Sequence, residues 1–135
     1  MNKLTSLIAK HEGRRLKPYL DSVGVWTVGY GHNCQDAPIT QRVAEMLLED
    51  DVQDAIHDCQ TFNWFGGLNE VRTAVIVNMV FNLGLTRFSK FKKTIGFIEL
   101  NEWEMASVEM LNSKWAIQVG SRSDDLSFMM ATGEW

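Results

Sequence analysis

Between Asn69 and Gly84 lies a segment that can only exist in water if other apolar elements surround it. From Glu70 to about Leu83 the chain carries Val71, Ala74, Val75, Ile76, Val77, Met79, Val80 and Phe81. At 3.6 residues per turn these side chains wrap nearly the whole circumference, and a helix apolar all round is a buried one. Asn69 suits the cap at its start and Gly84 the stop at its end. Further helices must therefore cover it. The 135 residues suffice for that, as one domain or one domain with two lobes, with a sizeable core.

The remaining sequence supplies the covering pieces. Leu4, Leu7, Ile8 and His11 fall on one face of a helix over residues 3–11, with Gly13 placed to end it. Thr40 predicts the cap of a helix running to about Asp58, with Ile39, Val43, Met46, Leu47, Ala55, Ile56 and Cys59 on its buried side. Residues 61–67 read as an aromatic turn. Phe88 to Ile98, broken by Gly96, predicts one or two short helices. Asn101 with Glu104, and Ser121 with Asp124, have capping-box spacing. They predict helices to about Ser113 and to Gly133. Trp64, Trp103, Trp115 and Trp135 are expected in the core, with Met46, Met79, Met105, Met110, Met129 and Met130 as its filler.

Residues 16–33 differ in period. Val25, Thr27 and Gly29 alternate with Trp26, Val28 and Tyr30, so this segment predicts strands, turned at Asp21-Ser22-Val23-Gly24. Asn33 to Pro38 is a loop. The expected fold is α+β and mainly helical, with a small N-terminal β-hairpin lobe and a larger helical lobe. The lobe boundaries fall at about 14–38 for the hairpin lobe, 40–58 for a connecting helix, and 60–135 plus helix 3–12 for the helical lobe.

Composition excludes several functions. A formal net charge of −4 is a poor footprint for nucleic acid. No apolar run reaches the roughly 18 residues of a membrane span. The first eleven residues are too short and polar for an export signal. Cys34 and Cys59 make no disulfide framework, and His11, His32 and His57 have no metal-ligand spacing with them, so neither metal nor cofactor is expected. The charges are unevenly spread. Lys10, Arg14, Arg15 and Lys17 crowd around Glu12, and Arg87, Lys90, Lys92 and Lys93 form a second basic group.

Glu12, Asp21 and Thr27 carry the chemistry. One carboxyl ends a helix, another sits in a turn, and a hydroxyl follows on a glycine-rich strand. Two carboxyl groups flanking a glycosidic bond can divide hydrolysis between a general acid and a water-activating base. The strand continues as Gly29-Tyr30-Gly31-His32, with little bulk to obstruct a sugar chain.

Glu12, eight residues, Asp21, five residues, Thr27 and then Gly-Tyr-Gly-His resembles the phage-type lysozymes, the muramidases of T-even and lambdoid phages. The resemblance resumes over 39–58 and 71–135, including Asn78-Met79-Val80-Phe81-Asn82-Leu83-Gly84 and the closing Thr132-Gly133-Glu134-Trp135. It implies a lysozyme-like two-lobed domain, shortened between the Gly-His strand and the next helix. It implies Glu12 as general acid, Asp21 as the group that orients or deprotonates water or stabilises the oxocarbenium-like transition state, Thr27 as a holder of the attacking water, and inversion at the anomeric carbon. Gly31, Asn33, Phe81 and Asn82 would line the sugar groove, His32 would pair with Asp51, and Arg122 would orient Glu12.

The implied substrate is peptidoglycan, cut between N-acetylmuramic acid and N-acetylglucosamine. The implied protein is a monomer held in the host cytoplasm until a holin-like membrane protein releases it to the wall. Two other readings stay open on the residues alone. A lytic transglycosylase needs one acid and neither Asp21 nor Thr27. A silent peptidoglycan-binding module needs none of the three.

Overall fold

A computed structural model describes residues 1–135. The chain forms two compact units, Met1–Met46 and Leu47–Trp135. Helix α1 (Lys3–Glu12) opens the first. Asn2 caps it, its Oδ1 accepting from Thr5 N at 2.8 Å, and Gly13 ends it at φ 73°. Three antiparallel strands follow in the order β1-β2-β3: β1 (Arg15–Leu20), β2 (Trp26–Gly29) and β3 (His32–Asn33). The sequence predicted two strands. The third is only two residues long, too short to leave an alternation, and is held by pairing of Thr27 with Asn33 and Val28 with His32. Pro18 is accommodated because β1 is an edge strand whose register is irregular between Arg15 and Tyr19, so its missing N–H breaks no regular ladder.

The first unit buries almost nothing. Thr27, 5% exposed, is its one buried residue, while Leu4, Leu7 and Ile8 on α1 are about half exposed or more. Helix α2 (Gln41–Cys59) starts here and ends in the second unit, with Thr40 Oγ1 accepting from Val43 N. Its expected apolar side is buried only toward the C-terminus. Ala55 and Cys59 are in the core, whereas Ile39 just before the helix and Met46 and Leu47 within it are about half exposed. The apolar core lies entirely in the second unit, and only the end of α2 reaches it.

That core is built around α3 (Glu70–Leu83), with Val71, Val75, Ile76, Met79 and Val80 buried. Asn69 caps the helix, accepting from Arg72 N at 2.8 Å, and Gly84 stops it. Short α4 (Leu85–Phe88) and α5 (Lys92–Glu99) follow. Gly96 does not break the run, which is interrupted instead at Ser89–Phe91. Then come α6 (Trp103–Leu111), α7 (Lys114–Val119) and α8 (Ser121–Thr132).

Neither expected capping box forms. Asn101 is left-handed at φ 57°, Glu102 takes the N-cap of α6 without a side-chain bond, and Gly120 does so at α8. Helix α7 was not foreseen. Its six residues are too few for a period to show, though Ser113 caps it by accepting from Ala116 N. Phe88, fully buried, is the hub of an aromatic cluster with Phe62, Trp64 and Phe91, and Phe91 meets Trp115 edge-on. Trp135 and Met105 depart from the expected core, at 70% and 49% exposed.

The end of the chain is tied to the start of α3. Arg72 donates from Nε to Met130 O at 2.8 Å and from Nη2 to Ala131 O at 3.2 Å, and its guanidinium lies 4.2 Å from the Trp103 ring. These carbonyls lie at the C-terminal end of α8, where helix carbonyls go unpaired and a cation is favoured. Burial lowers the Arg72 pKa from its ordinary value, but a guanidinium stays charged regardless. Asn69 Nδ2 donates to Gly133 O at 3.2 Å, and a Cβ on Gly133 would sit 2.9 Å from that nitrogen, so a side chain there would push the Asn69 amide aside. Cys59 is fully buried and burial pushes its thiol up to about 11, so it is inert near neutrality. Cys34 is exposed.

Candidate active site

In the first unit the structure sets Glu12 beside Gly31 and, separately, joins Asp21 to Thr27. Glu12 is the last residue of α1, and the turn out of Gly13 leads into β1. Gly31, between β2 and β3, has φ 75°, a conformation that L side chains rarely adopt. A Cβ there would lie 2.7 Å from Glu12 Oε2 and 3.1 Å from its carboxyl carbon. The sequence suggested that Gly31 leaves room for sugar. The structure shows that it leaves room for the Glu12 side chain.

Asp21 and Thr27 are joined through one peptide group. Asp21 Oδ1 accepts from Val23 N and Val25 N, both at 2.9 Å, closing the turn with its own side chain. Val25 O accepts twice, from Asp21 N at 2.9 Å and from the Thr27 hydroxyl at 2.9 Å. The proton of Thr27 is thus committed to the backbone, and its oxygen is left to accept. Asp21 keeps Oδ2, which makes none of these bonds. Val25 was not foreseen, because its role is played by the main chain and leaves no mark on residue type. Thr27 is registered against Tyr19 and Asn33 on the neighbouring strands.

Asn33 is occupied locally. Its Oδ1 accepts from Gln35 N and Asp36 N at 3.0 Å each, and its Nδ2 donates to Asp36 at 3.3 Å. His32 is exposed.

In the second unit, Arg122 on α8 donates from Nε and Nη2 to Asn78 Oδ1, at 2.9 and 2.6 Å. Asn78, Phe81 and Asn82 share one face of α3 by their spacing. Asn78 was quoted only as part of a motif; that spacing was the signal that placed it beside the groove residues. Arg122, Asn78 and Phe81 border an open depression of about 340 Å3 with Leu48, Val52 and Val77. Phe81 is 41% exposed, an aromatic face available to a ligand. Asn82 Oδ1 accepts from Trp115 Nε1 at 2.9 Å, which fixes its amide and leaves the NH2 free to donate. Asp51 is exposed on α2. Two expected pairings, Arg122 with Glu12 and His32 with Asp51, run from one unit to the other.

A small antiparallel sheet ahead of a mainly helical body, with a carboxyl group at the end of α1 and a second carboxyl joined to a hydroxyl in the sheet, is the arrangement of a lysozyme-type glycosidase. The phage lysozyme family model matches residues 9–127, and the chain belongs to that family. Among its relatives, the "Probable T4-type lysozyme 2" of Dictyostelium discoideum is 28% identical, the match covering 98% of this chain and 96% of that one. That alignment spans 163 residues against the 135 present here, so the relative carries residues that this chain lacks. The "Endolysin" of Acyrthosiphon pisum secondary endosymbiont phage 1 is 33% identical over 82% of this chain and 75% of its own. The "Pre-baseplate central spike protein Gp5" of Enterobacteria phage T4 is 24% identical over 96% of this chain, but only 28% of that longer protein is covered.

Proposed function

We propose that this protein is an endolysin, a muramidase hydrolysing the β-1,4 bond between N-acetylmuramic acid and N-acetylglucosamine in bacterial peptidoglycan. The observation that carries the reading is the junction at Val25, which ties a carboxylate to an accepting hydroxyl on the unit that also holds Glu12. In this reading Glu12 gives its proton to the leaving glycosidic oxygen. A water donates one hydrogen to Asp21 and the other to Thr27 Oγ1, which turns its lone pair toward the anomeric carbon. Asp21 takes the proton as the bond to water forms. Arg122 orients Glu12, and His32 pairs with Asp51. Gly31, Asn33, Phe81 and Asn82 line the path of the glycan. The protein acts as a monomer and waits in the host cytoplasm for a holin-like membrane protein to release it to the wall.

Water attacking opposite the leaving group inverts the anomeric centre, so a β-linked substrate gives the α-anomer first. Proton NMR of freshly released muropeptide is expected to show that α-anomer before mutarotation. A β-anomer appearing first removes Asp21 and Thr27 from water activation. Anhydro-muramic ends in the mass spectrum would make the chain a lytic transglycosylase.

A further inference from the structure

Helix α1 has an apolar strip that nothing in its own unit covers. Leu4, Leu7 and Ile8 fall within about 100° of the helix circumference. They are nevertheless 66%, 51% and 48% exposed, and α1 buries no residue. Isolated helices shorter than about 12–15 residues are marginal in water, so a ten-residue helix depends on what its apolar face packs against. The charges beside this strip are nearly all positive. Lys3, Leu7 and Lys10 follow i, i+4, i+7 spacing, which sets both ammonium groups along one border of the strip. Gly13 then turns the chain into Arg14, Arg15, Leu16 and Lys17, all exposed. Residues 1–17 carry five cations against the single acid Glu12, a net of +4 in a chain whose total is −4.

We propose that α1 and the basic segment after it form a docking surface for an anionic lipid bilayer. Leu4, Leu7 and Ile8 enter the boundary between headgroups and acyl chains, and the cations meet lipid phosphates. Charge and apolarity together select this occupant. Nucleic acid would use the cations and leave the aliphatic strip in water. A zwitterionic bilayer would take the strip and give the cations no net charge to meet. An anionic bilayer satisfies both, as it does for basic amphipathic helices in general. The methylene stems of Lys3 and Lys10 can lie along the strip while their ammonium groups reach outward to the phosphates. Ten helical residues extend about 15 Å, half of the roughly 30 Å hydrocarbon core. No helix of the chain is long and apolar enough to cross a membrane, so α1 lies in the surface and does not span it. Three aliphatic side chains make a reversible contact rather than a permanent anchor. The surface is independent of the glycan chemistry assigned to Glu12.

The test is co-sedimentation of the full chain with vesicles of phosphatidylglycerol and phosphatidylcholine in equal parts, against vesicles of phosphatidylcholine alone. Binding is expected to the mixed vesicles only, and to weaken as salt is added. Lys3→Gln with Lys10→Gln should weaken it about thirtyfold, from about fivefold for each cation near an anionic surface. Leu4→Ser with Leu7→Ser should weaken it at least about tenfold, with little change in thermal midpoint because both positions are exposed. In bicelles of the same two lipids carrying a nitroxide on the acyl chain, backbone NMR should show broadening of the amides of α1 and of residues 14–17. Failure to sediment with the mixed vesicles overturns the proposal, and so does equal binding to phosphatidylcholine alone. Broadening confined to the helical unit overturns it as well. A large fall in the midpoint of the Leu4→Ser, Leu7→Ser protein would put the strip against protein rather than lipid. Light scattering would then distinguish a second copy, seen as a doubled mass, from the helical unit of the same chain, and either occupant overturns the proposal. The lysine variants change only exposed side chains, so their vesicle binding can be read whatever the leucine variants do to folding.

Discussion

Replacing Glu12 with Gln is expected to cut wall hydrolysis by about a hundred- to ten-thousand-fold, the usual contribution of a general acid. Gln keeps the shape and cannot donate the proton. Glu12 is exposed at a helix end, so the fold should be unaffected and the thermal midpoint nearly unchanged. Release of reducing ends from purified peptidoglycan measures the loss, and activity within threefold of the parent would remove Glu12 from the mechanism. Gly31→Ala should produce a related defect by displacement. The new Cβ would fall 2.7 Å from Glu12 Oε2, and the mobile end of that side chain gives way before the backbone does. Moving a reacting group by about 1 Å can cost about a hundredfold. The substitution also places a side chain at φ 75°, at a cost of about 1–2 kcal/mol. A Gly31→Ala protein that melts slightly earlier and has lost most of its activity is the expected result; full activity would mean that the acid does not depend on this glycine.

Phe88→Ala is expected to cost about 3–5 kcal/mol of stability, since it empties a fully buried aromatic site. The ring lies 5.7 Å from Phe62, 6.5 Å from Trp64 and 6.1 Å from Phe91, so three aromatic contacts go with it. Helix α4 has only four residues and cannot hold itself. It stays in place because Phe88 anchors it, and the variant should lose α4 along with the ring. Against a typical total of about 5–15 kcal/mol, that loss leaves the helical unit marginal. Urea unfolding followed by tryptophan fluorescence measures it, with Trp64 beside the cavity. A loss below about 1 kcal/mol would mean the cluster refills the space, contrary to the dense packing expected of a protein core.

The long elements were legible in the sequence because their signals are local. The apolar circumference of 70–83, with Asn69 before it and Gly84 after, marked α3 to the residue. The Asp21 turn and the Gly13 stop were equally plain, since each depends on one residue type at one position. Glu12, Asp21 and Thr27 stood out as candidates for a different reason: the chemistry proposed for them is open only to particular side chains.

What the tertiary structure decided involved partners distant in sequence or groups without side-chain identity. The capping signals at Asn101 and Ser121 are real preferences, yet neighbouring packing moved both helix starts and inserted α7. The lock between Arg72 and the end of α8 spans 58 residues, and nothing local to Arg72 announces it. Asn82 could be read as a groove residue, but only the fold shows its carbonyl held by Trp115. The Val25 carbonyl that couples Asp21 to Thr27 is likewise invisible in the residue string. The sequence by itself determined which side chains could do the chemistry and where the long helices run, because propensity and reactivity belong to residues. The tertiary structure decided where hydrogen-bond donors and acceptors find partners and which stay free, because that depends on what else is packed within about 3 Å.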